Sequence, residues 1–104
     1  MAMFDPAHPG ELIRETIEGL KEETGKNFTV EQIATSLQTT RKTLSAIING
    51  KQSVTPEMAL KLGKGFNTSA EFWLQAQKNY DLAQARKHTN LKSVKVLWRN
   101  VAVL

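Results

Sequence analysis

The chain has no cysteine among its 104 residues. That excludes disulfide staples, thiolate metal sites and a cysteine nucleophile, and it suits a reducing cytoplasm. No apolar run approaches the roughly 18 residues of a membrane-spanning helix. The opening residues, MAMFDPAHPGE, lack the basic and apolar regions of a secretory signal. Histidine is scarce: His8 sits in an N-terminal turn and His88 lies past a helix. No convergent nucleophile–base pair can be drawn from such a set, so the expectation is no enzyme, no cofactor and no metal. His8 with Glu11 is the one pair worth weighing as a metal site, and a capping or solvent-facing role suits it better. A single cytoplasmic protein domain with no membrane partner fits these absences.

Acidic residues are unevenly missing. Residues 1 to 35 hold three bases against seven acids, a balance of −4, while residues 36 to 104 hold eleven bases against three acids, +8. The overall charge of +4 and pI of about 9.6 hide that asymmetry. It points to a polyanionic partner for the later part, and to something other than a polyanion for the first helix.

The stretch TVEQIATSLQTTRKTLSAIINGK, residues 29 to 51, organises the rest. Thr29 stands three residues before Gln32, the capping-box spacing. Val30, Ile33, Ala34 and Leu37 share one helical face. Thr40 is a good N-cap for a second helix. Leu44, Ile47 and Ile48 form its inner face, and Asn49-Gly50 closes it. Two short helices with only Gln38-Thr39-Thr40 between them must cross steeply, as in a helix-turn-helix, and Ala34 is small enough to sit at the crossing. The outer face of the second helix starts with Arg41, Lys42, Thr43 and Ser45 and carries no acid. A recognition helix reads base edges with its N-terminal residues; Arg and Lys suit guanine, and hydroxyls bond bases or phosphates. A basic pair alone is an ordinary solvated face. Capping, spacing, Ala34 and the missing acids together favour base readout.

Here the segment resembles the helix-turn-helix of lambdoid phage repressors and the wider XRE family, through Thr39-Thr40-Arg41-Lys42-Thr43-Leu44 and Asn49-Gly50-Lys51. The resemblance implies DNA-backbone contacts at Thr39, Thr40, Asn49 and Lys51. The family usually has Gly where this chain has Gln38. If that position needs positive φ, Gln costs roughly 1 kcal/mol over Gly.

Around this unit, His8-Pro9-Gly10-Glu11 opens a first helix with Leu12, Ile13, Thr16, Ile17 and Leu20 inward and Glu15, Glu18, Glu22 and Glu23 outward. Gly25-Lys26-Asn27 breaks it. Thr55-Pro56 starts a fourth helix, with Met58, Ala59, Leu62 and Phe66 inward. Ser69 caps a fifth, with Phe72, Trp73, Ala76, Tyr80 and Ala83 inward, reaching about Arg86 or His88. Residues 91–104 alternate Val94, Val96 and Trp98 with Lys95 and Leu97 before Val101 and Val103, a strand pattern. A lone strand after five helices must pair with its copy in a second subunit or remain an unpaired tail. The reading is all-α: a five-helix, lambda-repressor-like domain over residues 1–90, then a tail over residues 91–104 with a possible β-strand.

The order and spacing of His8-Pro9-Gly10-Glu11, Asn49-Gly50-Lys51, Thr55-Pro56-Glu57-Met58-Ala59-Leu60, Glu71-Phe72-Trp73-Leu74-Gln75 and Tyr80-Asp81-Leu82 resemble the HigA antitoxins, or VapI group, over about residues 8 to 85. The resemblance implies a non-catalytic protein that neutralises a HigB toxin, a RelE-like ribonuclease acting on mRNA. It also implies repression of its own operon as a homodimer on a palindromic operator in double-stranded DNA. Glu15, Glu18 and Glu22 on the first helix are the expected contacts for a basic toxin. Val94, Val96 and Trp98, floored by Trp73 and Tyr80 of the fifth helix, are the expected dimer contacts. A stand-alone XRE-type repressor without a toxin is the main alternative, and a protein-only adaptor with a vestigial helix-turn-helix is a second.

Overall fold

The computed structural model describes residues 5–98. These contain five helices and no strand: α1 Pro9–Thr24, α2 Val30–Ser36, α3 Arg41–Ile48, α4 Pro56–Gly65 and α5 Ala70–His88. Each start is chemically marked. The side chains of Thr29, Thr40, Thr55 and Ser69 accept the backbone N–H of Gln32, Thr43, Met58 and Phe72, satisfying donors that a helix start leaves orphaned. At Thr29 the box is reciprocal, because Gln32 Oε1 accepts the Thr29 N–H at 2.8 Å.

The ends share one device. After α2, α3 and α4, the residue beyond the cap turns left-handed: Gln38 at φ 60, Gly50 at φ 75 and Asn67 at φ 57. Thr39, Lys51 and Thr68 then donate their N–H back to Ala34, Ala46 and Gly63. This is the Schellman pairing that reclaims orphan carbonyls. Gln38 therefore does adopt the positive φ that its place in the turn demands.

Helix α1 packs on α3 and α5, α2 on α3, and α4 on α5. Ile13, Leu44, Ile47, Leu62 and Trp73 are fully buried at the centre of that arrangement. The His8-Pro9-Gly10-Glu11 segment now has a physical account. His8 Nδ1 accepts the Gly10 N–H at 2.9 Å, Pro9 occupies the first turn, and Glu11 faces the positive end of the helix. Gly10 lies against the end of α3, where an added methyl would run into the carbonyl oxygens of Ile47 and Ile48. The start of α1 is thus fitted directly onto the end of α3.

His8 is also buried, edge-on to Tyr80 with ring centroids 4.9 Å apart. Burial lowers its pKa below the ordinary imidazole value of 6.5, against the opposing pull of Asp81 and Glu11. The Gly10 bond likewise requires an unprotonated Nδ1. The unfolded chain therefore takes up a proton at higher pH than the folded one. This contribution to stability is complete above 6.5 and is lost as pH falls through that value toward the lowered folded one. In thermal melts the wild type should lose stability as pH falls below about 6.5, and His8→Asn, which caps without titrating, should lose less.

Two expectations about α5 need correction. Phe72 was expected inward and is 47% exposed, lying edge-on to Trp73 at 5.0 Å. The buried face is Trp73 and Gln77, one helical turn apart. Trp73, a proposed dimer contact, has 0% exposure inside its own subunit, so it has no surface to offer a partner. Tyr80 is half-buried against His8.

Beyond α5 no strand forms among the described residues; Asn90 Oδ1 accepts the Lys92 N–H at 2.9 Å and a turn bond runs from Val94 N–H to Leu91 O at 3.1 Å. Val94, Val96, Leu97 and Trp98 are all exposed. Val101 and Val103 lie outside the described residues.

Candidate nucleic-acid interface

The candidate reading head is built by its cap. Thr40 Oγ1 accepts the Thr43 N–H at 3.1 Å and its hydroxyl lies 3.0 Å from that of Thr43. The first turn of α3 is thereby fixed, and Arg41 and Lys42 project from it exposed. Neither is engaged in an ion pair among the described residues. Their charges therefore meet an incoming ligand unneutralised, beside the positive end of the helix. Thr43 and Ser45 are half-buried on the same element. Accepting from Thr40 leaves the Thr43 hydroxyl its proton and a second lone pair for another partner. Ser45 Oγ faces Asn49 Nδ2 at 3.5 Å.

The flanks present a second set of groups. Thr39 is half-buried in the turn and Thr40 is exposed at the helix start. Asn49 and Lys51 are exposed where α3 ends. The turn itself is braced from α4: Lys61 Nζ donates to the Gln38 carbonyl at 2.8 Å while lying 3.7 Å from Glu57. That bond holds the carbonyl of the left-handed residue and offsets part of its conformational cost.

Two residues central to this geometry had escaped notice. Arg14 of α1 donates to Asn49 Oδ1 at 3.2 Å, tying the first helix to the end of α3. Its signal was available, since it is the sole base among the first twenty residues. Gln77 of α5 is buried. Its Oε1 accepts the Val54 N–H at 2.8 Å and its Nε2 donates to Asp81 Oδ1 at 3.0 Å. Gln77 thus anchors the loop that follows α3 to the longest helix. Replacing it with Leu leaves a buried N–H unpaired. The expected loss is about 1–3 kcal/mol of stability, read in urea unfolding, with weaker DNA binding as the loop loses its tether.

Other expected site residues fall elsewhere. Glu15, Glu18 and Glu22 are exposed along α1, remote in role from the α3 reading head. Val94, Val96 and Trp98 lie in the tail past α5. No cluster of side chains suited to a metal ion occurs among the described residues, and no helix is long and apolar enough to cross a membrane.

A family model described as helix-turn-helix matches residues 23–73, which include all of α2, α3 and α4. The virulence-associated protein A' of Dichelobacter nodosus is 45% identical over 98 residues, covering 93% of this chain and 79% of that protein. An addiction module antidote protein of the HigA family from Coxiella burnetii superposes with a TM-score of 0.81 at 32% identity, over 91% of this chain and all of that one. A Pseudomonas aeruginosa protein solved with its operator DNA superposes with a TM-score of 0.72 at 32% identity, over 85% of this chain and 89% of that one. These matches span the reading head, its braces and most of α1 and α5, and the family they define is one of DNA-binding regulators and antitoxins rather than enzymes. The chain belongs to the helix-turn-helix family of HigA-type antitoxins and virulence-associated proteins.

Proposed function

We propose that this chain is the antitoxin of a HigB-type module. As a homodimer it binds a palindromic operator and represses its own operon. It also captures and neutralises a basic, mRNA-cleaving toxin. One observation carries the DNA half: a Thr40-capped helix that projects Arg41 and Lys42, with no acid on its outer face, on a fold shared with a protein solved on its operator. Arg41 and Lys42 read base edges, Thr43 and Ser45 support them, and Thr39, Thr40, Asn49 and Lys51 hold the backbone. The toxin half is supported by the acidic outer face of α1, Glu15, Glu18 and Glu22, and by likeness to a HigA-family antidote. Its place of work is the cytoplasm, with DNA and ribosomes.

Arg41→Ala should lose about 1–3 kcal/mol of discrimination at one base pair. Lys51→Ala should weaken binding evenly across sequences and flatten the salt slope by about one unit. Titration of both variants against operator and scrambled duplexes at several salt concentrations separates the two roles. An unchanged operator-to-scrambled ratio for Arg41→Ala removes it from base readout. A stand-alone repressor is the second reading, supported by the Thr-capped α2–α3 pair, which needs no toxin to form. Co-expression with the product of the adjacent reading frame decides between them: an antitoxin relieves the growth arrest that product causes, and a plain repressor does not.

A further inference from the structure

Gly19 sits in the interior of α1, where glycine is among the least favourable residues. Nothing lies within 4 Å of where its side chain would begin, so no packing inside the subunit requires glycine there. It lies on the lip of an apolar cavity of 580 Å³ formed between α1, α2 and the end of α4. Leu20, Phe28, Ile33 and Phe66 supply much of the lining. Around Gly19, the helical neighbours at i−4, i+3 and i+4 are Glu15, Glu22 and Glu23. All three are exposed. Arg14, which reaches across to Asn49 of the recognition helix, is five residues away and so about 140° round the helix. Lys21 lies on that same far side. The α1 rim of the cavity therefore carries Glu23 in its lining, with Glu15 and Glu22 beside Gly19, on a different side of the helix from the bond to α3.

From this geometry we infer that the cavity beside Gly19 is where the toxin docks. The partner is a basic protein that inserts an apolar side chain between α1, α2 and α4. Its flanking Lys or Arg residues meet Glu15, Glu22 and Glu23. Gly19 is bare because the partner's backbone or side chain approaches the helix there. Charge complementarity selects this occupant: a second copy docked about a two-fold axis would bring the same acidic helix, and nucleic acid would be repelled. Oppositely charged rims raise association rate more than affinity, while the buried apolar anchor sets the dissociation rate. The inference rests on the antitoxin reading above and assigns its contact surface.

The test uses the full chain and the purified product of the adjacent reading frame. Gly19→Leu places a side chain at the mouth, where the free protein has room for it. Its melting temperature should equal or exceed that of the wild type, and its operator binding should be unchanged. Its affinity for the toxin should fall more than tenfold. Gly19→Ala, which adds one methyl, should stabilise the free chain and weaken capture to a smaller degree. Glu15→Gln, Glu22→Gln and Glu23→Gln combined should slow association several-fold at low salt and little at high salt. Full-strength capture by Gly19→Leu overturns the docking site while leaving the antitoxin reading standing. A Gly19→Leu variant that sediments as a monomer where the wild type is a dimer overturns it in favour of a second copy. No complex between the wild type and the adjacent product overturns the antitoxin reading, and the docking site with it.

Discussion

Replacing Trp73 with Ala should cost about 3–5 kcal/mol of folding stability. Small domains stand only about 5–15 kcal/mol above their unfolded state, so this one change removes much of the margin. The indole is fully buried. It touches Phe66 and Phe72, with ring centroids at 6.1 and 5.0 Å, and its Nε1–H donates to Thr68 Oγ1 at 2.8 Å. Thr68 belongs to the turn that ends α4, so the same side chain fills the core and closes the α4–α5 corner. In a chain of this length each kcal/mol moves the melting temperature by about 4–8 °C, so Trp73→Ala should melt more than about 12 °C lower. Trp73→Phe retains most of the volume and loses the hydrogen bond, and should cost about 1–2 kcal/mol. The experiment also discriminates the two roles assigned to this residue. A core role lowers the melting temperature at every protein concentration. A contact with a second subunit would leave the monomer fold intact and change only the association state seen in sedimentation.

That Trp73 was read as both core and interface shows where sequence legibility stops. The helix starts were readable because the chemistry is local: Thr29, Thr40, Thr55 and Ser69 each cap an N–H within three residues. The end at Gly50 was readable for the same reason, since few residue types accept positive φ. Gln38 breaks that rule, and only its place between two closely spaced helices revealed the turn. The bond from Lys61 to its carbonyl comes from 23 residues away and leaves no trace in local pattern. Gln77 was missed by the same logic. A polar residue on a helix is read as outward, yet its amide is buried because the Val54 N–H, 23 residues earlier, needs an acceptor. Phe72 fails in the opposite sense: apolarity suggested the inner face, but the stripe on α5 runs through Trp73 and Gln77. Of the reading head, Arg41 and Lys42 were legible from one helix. The Arg14–Asn49 link spans 35 residues and depends on how α1 lies on α3, which no local pattern states.

Removing residues 91–104 should reduce operator affinity by about 10²–10⁴-fold while changing half-site binding little. In the proposed dimer each reading head covers one half-site, and two must sit about 34–36 Å apart to span one DNA turn. Linking them turns the second binding event into an intramolecular one, and breaking the link forfeits that gain without altering any protein–DNA contact. The tail is the segment best suited to supply the link. Leu91, Val94, Val96, Leu97 and Trp98 are all exposed, with Leu97 at 94% and Trp98 at 76%. Consecutive apolar side chains so open to water are a liability in a lone subunit. No strand forms within one chain among the described residues. Antiparallel pairing of two tails across a two-fold axis is self-complementary. Two-stranded ribbons are marginal alone, so the pair needs a helical floor. With Trp73 closed inside its own core, the half-buried Tyr80 and the exposed Phe72 and Leu82 are large side chains α5 still offers for that floor. Sedimentation at micromolar concentration supplies the first readout, where the truncated chain should run as a monomer and the full chain as a dimer. Operator and half-site titrations supply the second. A truncated chain that remains dimeric and keeps full operator affinity would transfer the dimer contact to the helices.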